Sequence, residues 1–335
     1  MNQVTIKDLA RHLGLSASTI SRALNDNPSI NPKTKKLIHD LAAKLGYEPN
    51  VMARNLKAQH SNQIGIIVPE IKHDFFAKVI SGIEEVAYNS GFTVIVSQSN
   101  EDEEREKLNA NSLYMNRISG LIVSVSQTTN NLDHFRNLME KGVKIVFFDR
   151  ICDGLDTYKV VIDDYKSSYD AVKYLIATGY KRIVHLAGPQ NLLSCKNRYL
   201  GYKQAIIDNG YNFEEELVVF GGMHEDDGIR SIKNIIDKGI KFDAVFAVND
   251  PVAIGVSILV KKIGLNIPGD VAIIGFSNNP ITEFVTPSIT TIDQPAYEMG
   301  KKSASILISL IKGKTKLTGS KTIILPSKLI IREST

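Results

Sequence analysis

Apolar positions near the start of the chain recur with the period of an α-helix. Ile6, Leu9, Ala10 and Leu13 lie three or four residues apart, so they form one apolar stripe on a short helix. Thr5 precedes the stripe and can cap the first free amides. The residue after the stripe is a glycine, which readily ends a helix in a left-handed conformation. The pattern therefore predicts a helix that begins after Thr5 and ends at Leu13.

A second short helix follows. Ser16 can cap it, and Ile20, Ala23 and Leu24 face back onto the first helix. Its exposed face carries small or hydrogen-bonding side chains and no acids, so it can enter a major groove and place donors against base edges. The pair predicts a helix-turn-helix, although any small helical domain can contain two such helices. The predicted DNA contacts are Thr5, Ser16, Ala17, Ser18, Thr19, Ser21, Arg22 and Asn25.

A third helix and a shorter segment complete this region. Asn31 and Pro32 start the third helix, and Gly46 ends it, so residues 1–46 form a predicted DNA-binding headpiece. Residues 47–61 form a predicted hinge helix and linker, in which Asn50 can cap about two helical turns. Helices shorter than about 12 residues are marginal in water, so we expect this one to form only when something packs on it. Its predicted DNA contacts are Asn50, Ala53, Arg54 and Leu56.

From residue 63 onward apolar strands alternate with helices. Several strands are apolar on both faces, as parallel strands covered by helices should be. The predicted strands are Ile64–Val68, Thr93–Val96, Leu121–Val125, Lys144–Phe148, Lys181–Leu186, Ala244–Val248 and Val271–Phe276. We predict an α/β core, residues 62–335, of two doubly wound parallel-sheet lobes. Lobe one takes residues 62–160 and 293–320, lobe two takes residues 161–292 and 321–335, and a ligand lies between them.

Charge is unevenly distributed along the 335 residues. Residues 1–60 contain nine Lys and Arg against four Asp and Glu, a net charge of +5, which leaves −1 of the total +4 for the remaining 275 residues. A phosphate-binding module requires basic charge in the same region as its helices. The two cysteines, Cys152 and Cys195, show no pairing pattern. Without a signal peptide or a long apolar run, the chain is expected to be cytoplasmic, with no membrane partner.

Motifs of enzymes and cofactor-binding proteins are missing from the sequence. The histidines are scattered, and there is no phosphate loop, dinucleotide fingerprint or nucleophile elbow. We therefore expect no catalytic residues, no metal and no cofactor. Two rival functions fail on the sequence: a sugar-transport protein needs a signal peptide and no basic headpiece, and an enzyme with a DNA-binding appendage needs a nucleophile–base pair.

The motifs, taken in order, resemble the lactose-repressor/galactose-repressor family of bacterial transcription regulators over essentially the whole chain. The resemblance begins with Thr5-Ile-Lys-Asp-Leu-Ala and Ser16-x-Ser-Thr-Ile-Ser-Arg-Ala-Leu-Asn, and continues with Tyr47-x-Pro-Asn and Ala53-Arg-x-Leu56. Downstream it includes Asp163, Gly179-Tyr-x-Arg-Ile, Arg198-x-x-Gly-Tyr, Asn249-Asp250, Pro268-x-Asp-Val-Ala-Ile-Ile-Gly-Phe, Thr291-Ile-x-Gln-Pro and Leu329-Ile-x-Arg332-x-Ser-Thr.

The resemblance implies a repressor-like dimer whose headpieces occupy successive major grooves of a near-palindromic operator. Ala17, Ser18 and Arg22 match its base-reading positions; Arg22 can grip a guanine edge or contact only a phosphate. Leu56 matches a residue that wedges into the minor groove and bends DNA, or else it packs on the core. The chain ends at Thr335 without a heptad tail, so a homodimer is favoured over a tetramer.

The resemblance also implies an effector cavity between the lobes that controls operator affinity. Aromatic faces with Asp, Asn and Arg suit a sugar or sugar derivative, and the paired phenylalanines suit a purine as the alternative. Phe75 and Phe76 can instead be lobe core, and Asp250 can cap a helix. Ser277 stands where the family commonly has an acid, and Met223 lies where an aromatic is common. The implied contacts are Phe75, Phe76, Asp149, Arg150, Arg198, Asn249, Asp250 and Ser277.

Overall fold

The computed structural model of the chain describes residues 4–47, 61–151 and 154–335. It divides the chain into two compact units, residues 1–60 and residues 61–335. No helix in the described ranges is long and apolar enough to cross a membrane.

Three short helices form the first unit: α1 (Ile6–Leu13), α2 (Ala17–Leu24) and α3 (Pro32–Lys44). Their apolar faces meet in a small core of Leu9, Ile20, Ala23, Ile38 and Ala42. The predicted helices are therefore confirmed. Leu37 of α3 is 55% exposed, whereas Ile38 and Ala42 on the neighbouring face of the helix are buried.

Capping groups hold these helices at their predicted ends. The backbone N–H of Thr5 donates to Asp8 Oδ2 (3.0 Å), and Gly14 ends α1 with φ at 65°. Ser16 Oγ accepts from the Thr19 N–H (3.1 Å) at the start of α2. Asn31 Oδ1 accepts from the Lys33 N–H (2.9 Å) at the start of α3. Each bond satisfies an amide that the helix leaves free.

The second unit contains two six-stranded sheets, which form two lobes. The first sheet is parallel, in the order β11-β5-β4-β3-β1-β2. Its strands are β1 (Gln63–Val68), β2 (Thr93–Gln98), β3 (Gly120–Val123), β4 (Lys144–Phe148), β5 (Tyr158–Ile162) and β11 (Lys321–Leu325). The helices of this lobe are α4 (Asp74–Asn89), α5 (Glu103–Met115), α6 (Asp133–Glu140) and α12 (Ala296–Ile311).

The second sheet has the order β12-β10-β9-β8-β6-β7 and is parallel except for β12, which runs antiparallel to β10. Its strands are β6 (Ile183–Leu186), β7 (Val218–Val219), β8 (Ala244–Ala247), β9 (Ala272–Phe276), β10 (Thr290–Asp293) and β12 (Lys328–Ile330). Its helices are α7 (Asp164–Ala177), α8 (Leu193–Asp208), α9 (Glu225–Asp237), α10 (Asp250–Lys262) and α11 (Ile281–Phe284).

Both sheets bury both faces, which confirms the doubly wound α/β fold class. Within β1, Ile64 and Ile66 pack with α4 and α12, whereas Ile67 packs with α5 and α6. Successive side chains of a strand point to opposite faces of the sheet. A strand that is covered on both faces therefore needs an unbroken run of apolar residues. The second sheet is covered likewise, by α7 and α8 on one face and by α9 and α10 on the other.

The lobe boundaries differ from those expected from the sequence at two strands. β5 extends to Ile162 within the first sheet, so the first crossing follows residue 162 rather than 160. β11 was expected in the second lobe, but it pairs in parallel with β5, with Lys321 opposite Tyr158. Without β11, β5 would be an open edge of the first sheet. The local sequence pattern of β11 does not encode which sheet edge it joins, so only the tertiary structure shows the pairing.

Candidate nucleic-acid interface and interlobe cavity

The exposed face of α2 carries the side chains predicted to read DNA. Ala17, Ser18, Arg22 and Asn25 are exposed, whereas Thr19 and Ser21 are half-buried. The Arg22 guanidinium makes no ion pair or hydrogen bond to any described residue of the headpiece. Its donors are thus available to an external acceptor such as a base edge or a phosphate.

Several other predicted contacts already have intramolecular partners. Ser16 Oγ lies 2.8 Å from Ser18 Oγ, so the capping hydroxyl also orients its neighbour on the exposed face. Thr5 Oγ1 donates to Asp8 Oδ2 (2.7 Å), and Asn25 Nδ2 donates to the Ser21 carbonyl (2.7 Å). These bonds fix the side chains of Thr5 and Asn25 at the two ends of the helix pair. The four predicted hinge contacts, Asn50, Ala53, Arg54 and Leu56, lie outside the described residues.

A cavity lies between the two lobes of the second unit, at the carboxyl ends of their strands. Asp149 follows β4, Asn249 follows β8 and Ser277 follows β9, so the topology delivers these side chains to one place. The cavity measures about 60 Å³, which is room for a few water molecules. A larger ligand therefore requires the lobes or the lining side chains to move.

Most of the effector contacts expected from the sequence line this cavity. They are Phe75, Phe76, Asp149, Arg150, Arg198, Asn249 and Ser277. Asp250 does not line it. Its buried carboxylate accepts from Thr291 Oγ1 (2.6 Å) and from the Asn279 N–H (2.6 Å), and burial raises its pKa to about 6. The helix cap is Asn249, whose Oδ1 accepts from the Val252 N–H (3.0 Å), so the expectation that Asp250 caps this helix is wrong.

The two phenylalanines differ in what they offer a ligand. Phe76 is only 3% exposed and packs edge-to-face on Phe148, with ring centroids 6.3 Å apart. It belongs mainly to the lobe core. Phe75 is half-buried and packs edge-to-face on Phe76 (5.3 Å), so its ring is the more accessible aromatic surface.

Asp149 and Arg150 present an acceptor next to a donor. Arg150 Nη1 donates to both oxygens of Glu101 (2.7 and 2.8 Å), and among the described residues Nη2 has only a 3.5 Å contact, to Met223 Sδ. Within the described part of the chain, Asp149 receives one long side-chain hydrogen bond, from Gln294 Nε2 (3.4 Å). Burial raises the pKa of Asp149, and the charges of Arg150 and Arg198 oppose this shift. The pair can hydrogen-bond two groups of one ligand.

Arg198 is held by the second lobe. Its Nε donates to Asp164 Oδ1 (2.8 Å), its Nη1 donates to the Val248 carbonyl (2.7 Å), and its guanidinium stacks 3.6 Å from the centre of the Phe276 ring. Burial raises the pKa of Asp164 to about 6, and the Arg198 charge opposes this. Since its ion pair, its bond to the Val248 carbonyl and its stacking on Phe276 all lie within the second lobe, Arg198 chiefly holds together the wall of the cavity.

Backbone conformation at the cavity is unusual. Glu101, Asp149 and Ser277 have positive φ angles of 59°, 55° and 108°, which non-glycine residues adopt at an energetic cost. Ser277 Oγ donates to Gln294 Oε1 (2.7 Å), so this short residue orients the amide that reaches Asp149. Strain of this kind concentrates at ligand sites.

Sequence reasoning missed several cavity residues. Glu101 and Gln294 are the most consequential, because Glu101 neutralises Arg150 and Gln294 links Asp149 to Ser277. Gln294 belongs to the motif Thr291-Ile-x-Gln-Pro. Glu101 lies in the loop after β2, just as Asp149 lies after β4, so its position at the carboxyl end of a strand was the signal that could have identified it. The remaining missed residues are His73, Asp74, Ser194, Pro251 and Asn279, with Met223 noted only as a departure.

Comparisons with known proteins agree with this architecture. Residues 5–50 match the family model described as "Bacterial regulatory proteins, lacI family". Residues 61–333 match "Periplasmic binding proteins and sugar binding domain of LacI family". The chain is 32% identical to the HTH-type transcriptional repressor CytR of Escherichia coli (strain K12), over 99% of this chain and 96% of that protein.

Solved structures share the fold over the full length. A complex of the transcriptional regulator CelR with cellobiose is 25% identical, with a TM-score of 0.76, and the match covers 99% of this chain and 100% of that one. The lac repressor dimer bound to operator and the anti-inducer ONPF is 24% identical, with a TM-score of 0.86, and the match covers 99% of each chain.

Proposed function

The chain belongs to the LacI family of DNA-binding transcriptional regulators, and we propose that it is a repressor whose operator affinity is controlled by a neutral sugar or sugar derivative. As a family member it is a regulator rather than an enzyme. In this proposal residues 1–46 bind DNA, residues 47–61 form a hinge and residues 62–335 bind the effector and form the dimer.

The DNA-binding part of the proposal rests on α2. Its exposed face combines small residues, Ala17 and Ser18, with the free guanidinium of Arg22, and the small residues let the helix approach base edges closely. One such helix covers a single half-site, so a two-fold homodimer on a near-palindromic operator is the expected assembly. Because its partner is chromosomal DNA, we place its action in the cytoplasm.

The observation that carries the effector class is the charge of the cavity. Three carboxylates, Asp74, Glu101 and Asp149, line it against two guanidiniums. Both guanidiniums are neutralised by carboxylates, Arg150 by the partly buried Glu101 and Arg198 by the buried Asp164. A phosphorylated ligand would find no unpaired guanidinium among the described residues that line the cavity. A neutral polyol would find the Asp149 carboxylate, the Arg150 Nη2 donor and the Phe75 ring, and a relative of similar fold binds cellobiose.

The hinge couples the two parts in this proposal. A ligand that is larger than the present cavity alters the arrangement of the lobes, and this arrangement favours or disfavours pairing of the hinge helices. The sequence supports this part of the proposal, in which Asn50 would cap the hinge helix and Ala53, Arg54 and Leu56 would contact the minor groove.

The experiment begins with a thermal-shift screen of the full chain against sugars, sugar phosphates and purines. A ligand at about 100 times its dissociation constant adds about 2.7 kcal/mol of stability. We expect hits among neutral sugars that disappear in Asp149→Asn but persist in Asp156→Asn, an exposed aspartate nearby. Hits confined to purines would replace the sugar assignment, and hits confined to phosphorylated sugars would refute the charge argument.

Operator binding is tested separately. Duplexes selected from a randomised DNA library are measured by fluorescence anisotropy, with and without the ligand found in the screen. We expect Arg22→Ala to lose discrimination between selected and random duplexes. An equal loss of affinity on both duplexes would reduce Arg22 to a phosphate contact.

A further inference from the structure

Three potential metal ligands meet at the rim of the interlobe cavity. We propose that Glu70, His73 and His224 form a binding site for Zn²⁺ or a similar divalent transition metal, and that this metal bridges the two lobes. One ligand atom from each of the three side chains lies within 4.8 Å of the other two. The site lies beside the proposed effector cavity, which His73 also lines.

The two lobes contribute different ligands to this site. Glu70 and His73 lie between β1 and α4 in the first lobe, whereas His224 immediately precedes α9 in the second lobe. His73 Nε2 is 2.7 Å from Glu70 Oε2. The His73 and His224 rings are nearly parallel, with an interplanar angle of 12° and centroids 5.7 Å apart. The first-lobe pair is already assembled, and the second lobe supplies the third ligand.

The donor set matches the coordination chemistry of zinc. Two imidazoles and one carboxylate are a known three-ligand set for Zn²⁺, which leaves a fourth position for water or another ligand. Zinc–ligand distances of about 2.0–2.2 Å place neighbouring ligand atoms about 3.4 Å apart. The present ligand atoms lie within 4.8 Å of one another, so they must shift by up to about 1.4 Å to reach that spacing.

The Glu70 carboxylate gives independent support. It is 7% exposed, and its Oε2 makes no properly directed hydrogen bond to any residue in the described part of the chain, despite the close approach of His73. A buried carboxylate oxygen without a donor costs stability. The other oxygen, Oε1, is 3.3 Å from Nζ of Lys72, an otherwise exposed side chain. A metal ion would therefore give this oxygen a directed bond that the 2.7 Å contact with His73 does not supply.

The charge around the cluster also favours a cation. Carboxylates in the first turns of the flanking helices add negative charge: Asp74, Glu225, Asp226 and Asp227.

His224 is attached to a rigid part of the second lobe. Its backbone N–H donates to Asp227 Oδ2 (3.0 Å) at the start of α9. Helix α9 packs closely on α10 at two glycines, which have no Cβ. A Cβ on Gly228 would overlap the Val252 carbonyl, and a Cβ on Gly255 would overlap the Glu225 carbonyl. A metal bond to His224 therefore restrains the whole lobe rather than a loose loop.

A bridging metal has a consequence that rests on the proposed function. Bound metal would hold the lobes close at the cavity rim, so it would change effector affinity, and effector would change metal affinity by the same factor. The metal binding itself does not depend on the identity of the effector.

The test is calorimetric titration of ZnCl₂ into the untagged full chain, repeated with CoCl₂ while the visible absorption of Co²⁺ is recorded. We expect one ion per chain and an intense absorption typical of four-coordinate Co²⁺. His224→Asn should weaken binding by about tenfold or more, and His39→Asn, which removes a half-exposed headpiece histidine, should leave it unchanged. Lys72→Met should tighten binding because it removes a competing cation.

Three results would overturn the site: no binding to the wild-type chain, equal affinity in wild type and His224→Asn, or a weak octahedral Co²⁺ spectrum. Circular dichroism verifies that each variant is folded. If the wild-type chain fails to bind metal but binds sugar and operator, this inference alone is refuted. If it binds metal but does not respond to any sugar, the proposed effector is refuted.

Discussion

Replacing Arg198 by methionine tests how the second-lobe wall of the cavity is held. Methionine keeps much of the buried apolar stem but removes the guanidinium. Arg198 is 3% exposed and its partner Asp164 is 6% exposed. The substitution therefore leaves a buried carboxylate without its ion-pair partner and the Val248 carbonyl without its donor.

The expected cost follows from these contacts. Removing one partner of a buried ion pair destabilises a protein by about 3–5 kcal/mol, and an orphaned buried carbonyl costs about 1–3 kcal/mol. These effects share one side chain and do not add. We expect Arg198→Met to lower the free energy of unfolding by about 3–5 kcal/mol at pH 8.

The loss should depend on pH, with a defined sign. The pKa of Asp164 is already about 6 in the folded protein, above its ordinary value of 3.8, and without Arg198 it rises further. A carboxyl with a raised folded pKa binds a proton more readily when folded, so acid stabilises the folded state until the pH reaches the unfolded value. The difference between wild type and variant should therefore shrink as the pH falls from 8 to 5.

Urea unfolding of the full chain followed by far-ultraviolet circular dichroism measures this difference, since the chain has no tryptophan. The double variant Arg198→Met/Asp164→Asn is the control, and it should be more stable than the sum of the single effects predicts. A loss below about 1 kcal/mol, as for an exposed pair, would refute the reasoning, as would strict additivity. Where Arg198→Met remains folded, we expect unchanged operator affinity and loss of the effector response.

Three further predictions concern other parts of the chain. Ser16→Ala should destabilise the headpiece by about 1 kcal/mol in thermal unfolding, because the Thr19 N–H loses its acceptor; a similar loss in the exposed control Ser29→Ala would contradict this. Leu56→Ala should weaken binding and bending of selected operator DNA far more than binding of random DNA in anisotropy and gel assays; equal losses would exclude a wedge. Burial lowers the pKa of the His185 imidazole to about 4, so between pH 7 and 5 this group gains a proton in the unfolded state but not in the folded state. The free energy of unfolding of wild type should therefore fall by about 2 kcal/mol over this range relative to that of His185→Phe. A pH-independent difference in urea unfolding would refute this assignment.

Local pattern was sufficient to predict the three headpiece helices and seven of the twelve strands in the described residues. The apolar stripe ending at Leu13, the caps at Ser16 and Asn31, and the doubly apolar strands each depend on neighbours within a few residues, so period and capping chemistry identify them. The same reasoning brought Asp149, Asn249 and Ser277 to one cavity, because parallel strands deliver their carboxyl ends to one edge.

Tertiary structure decided which groups meet across long separations. The sequence pattern places Phe76 and Asp250 after predicted strands. Only the packed lobes show that Phe76 joins the core and that the Asp250 carboxylate accepts hydrogen bonds from Thr291 and Asn279. It also decided that β11 closes the edge of the first sheet. Glu70 and His224 lie more than 150 residues apart in the sequence, and their approach depends on how two separately folded lobes close. The spacing of apolar residues in the sequence indicates which side chains are buried, but not which residues pack against them.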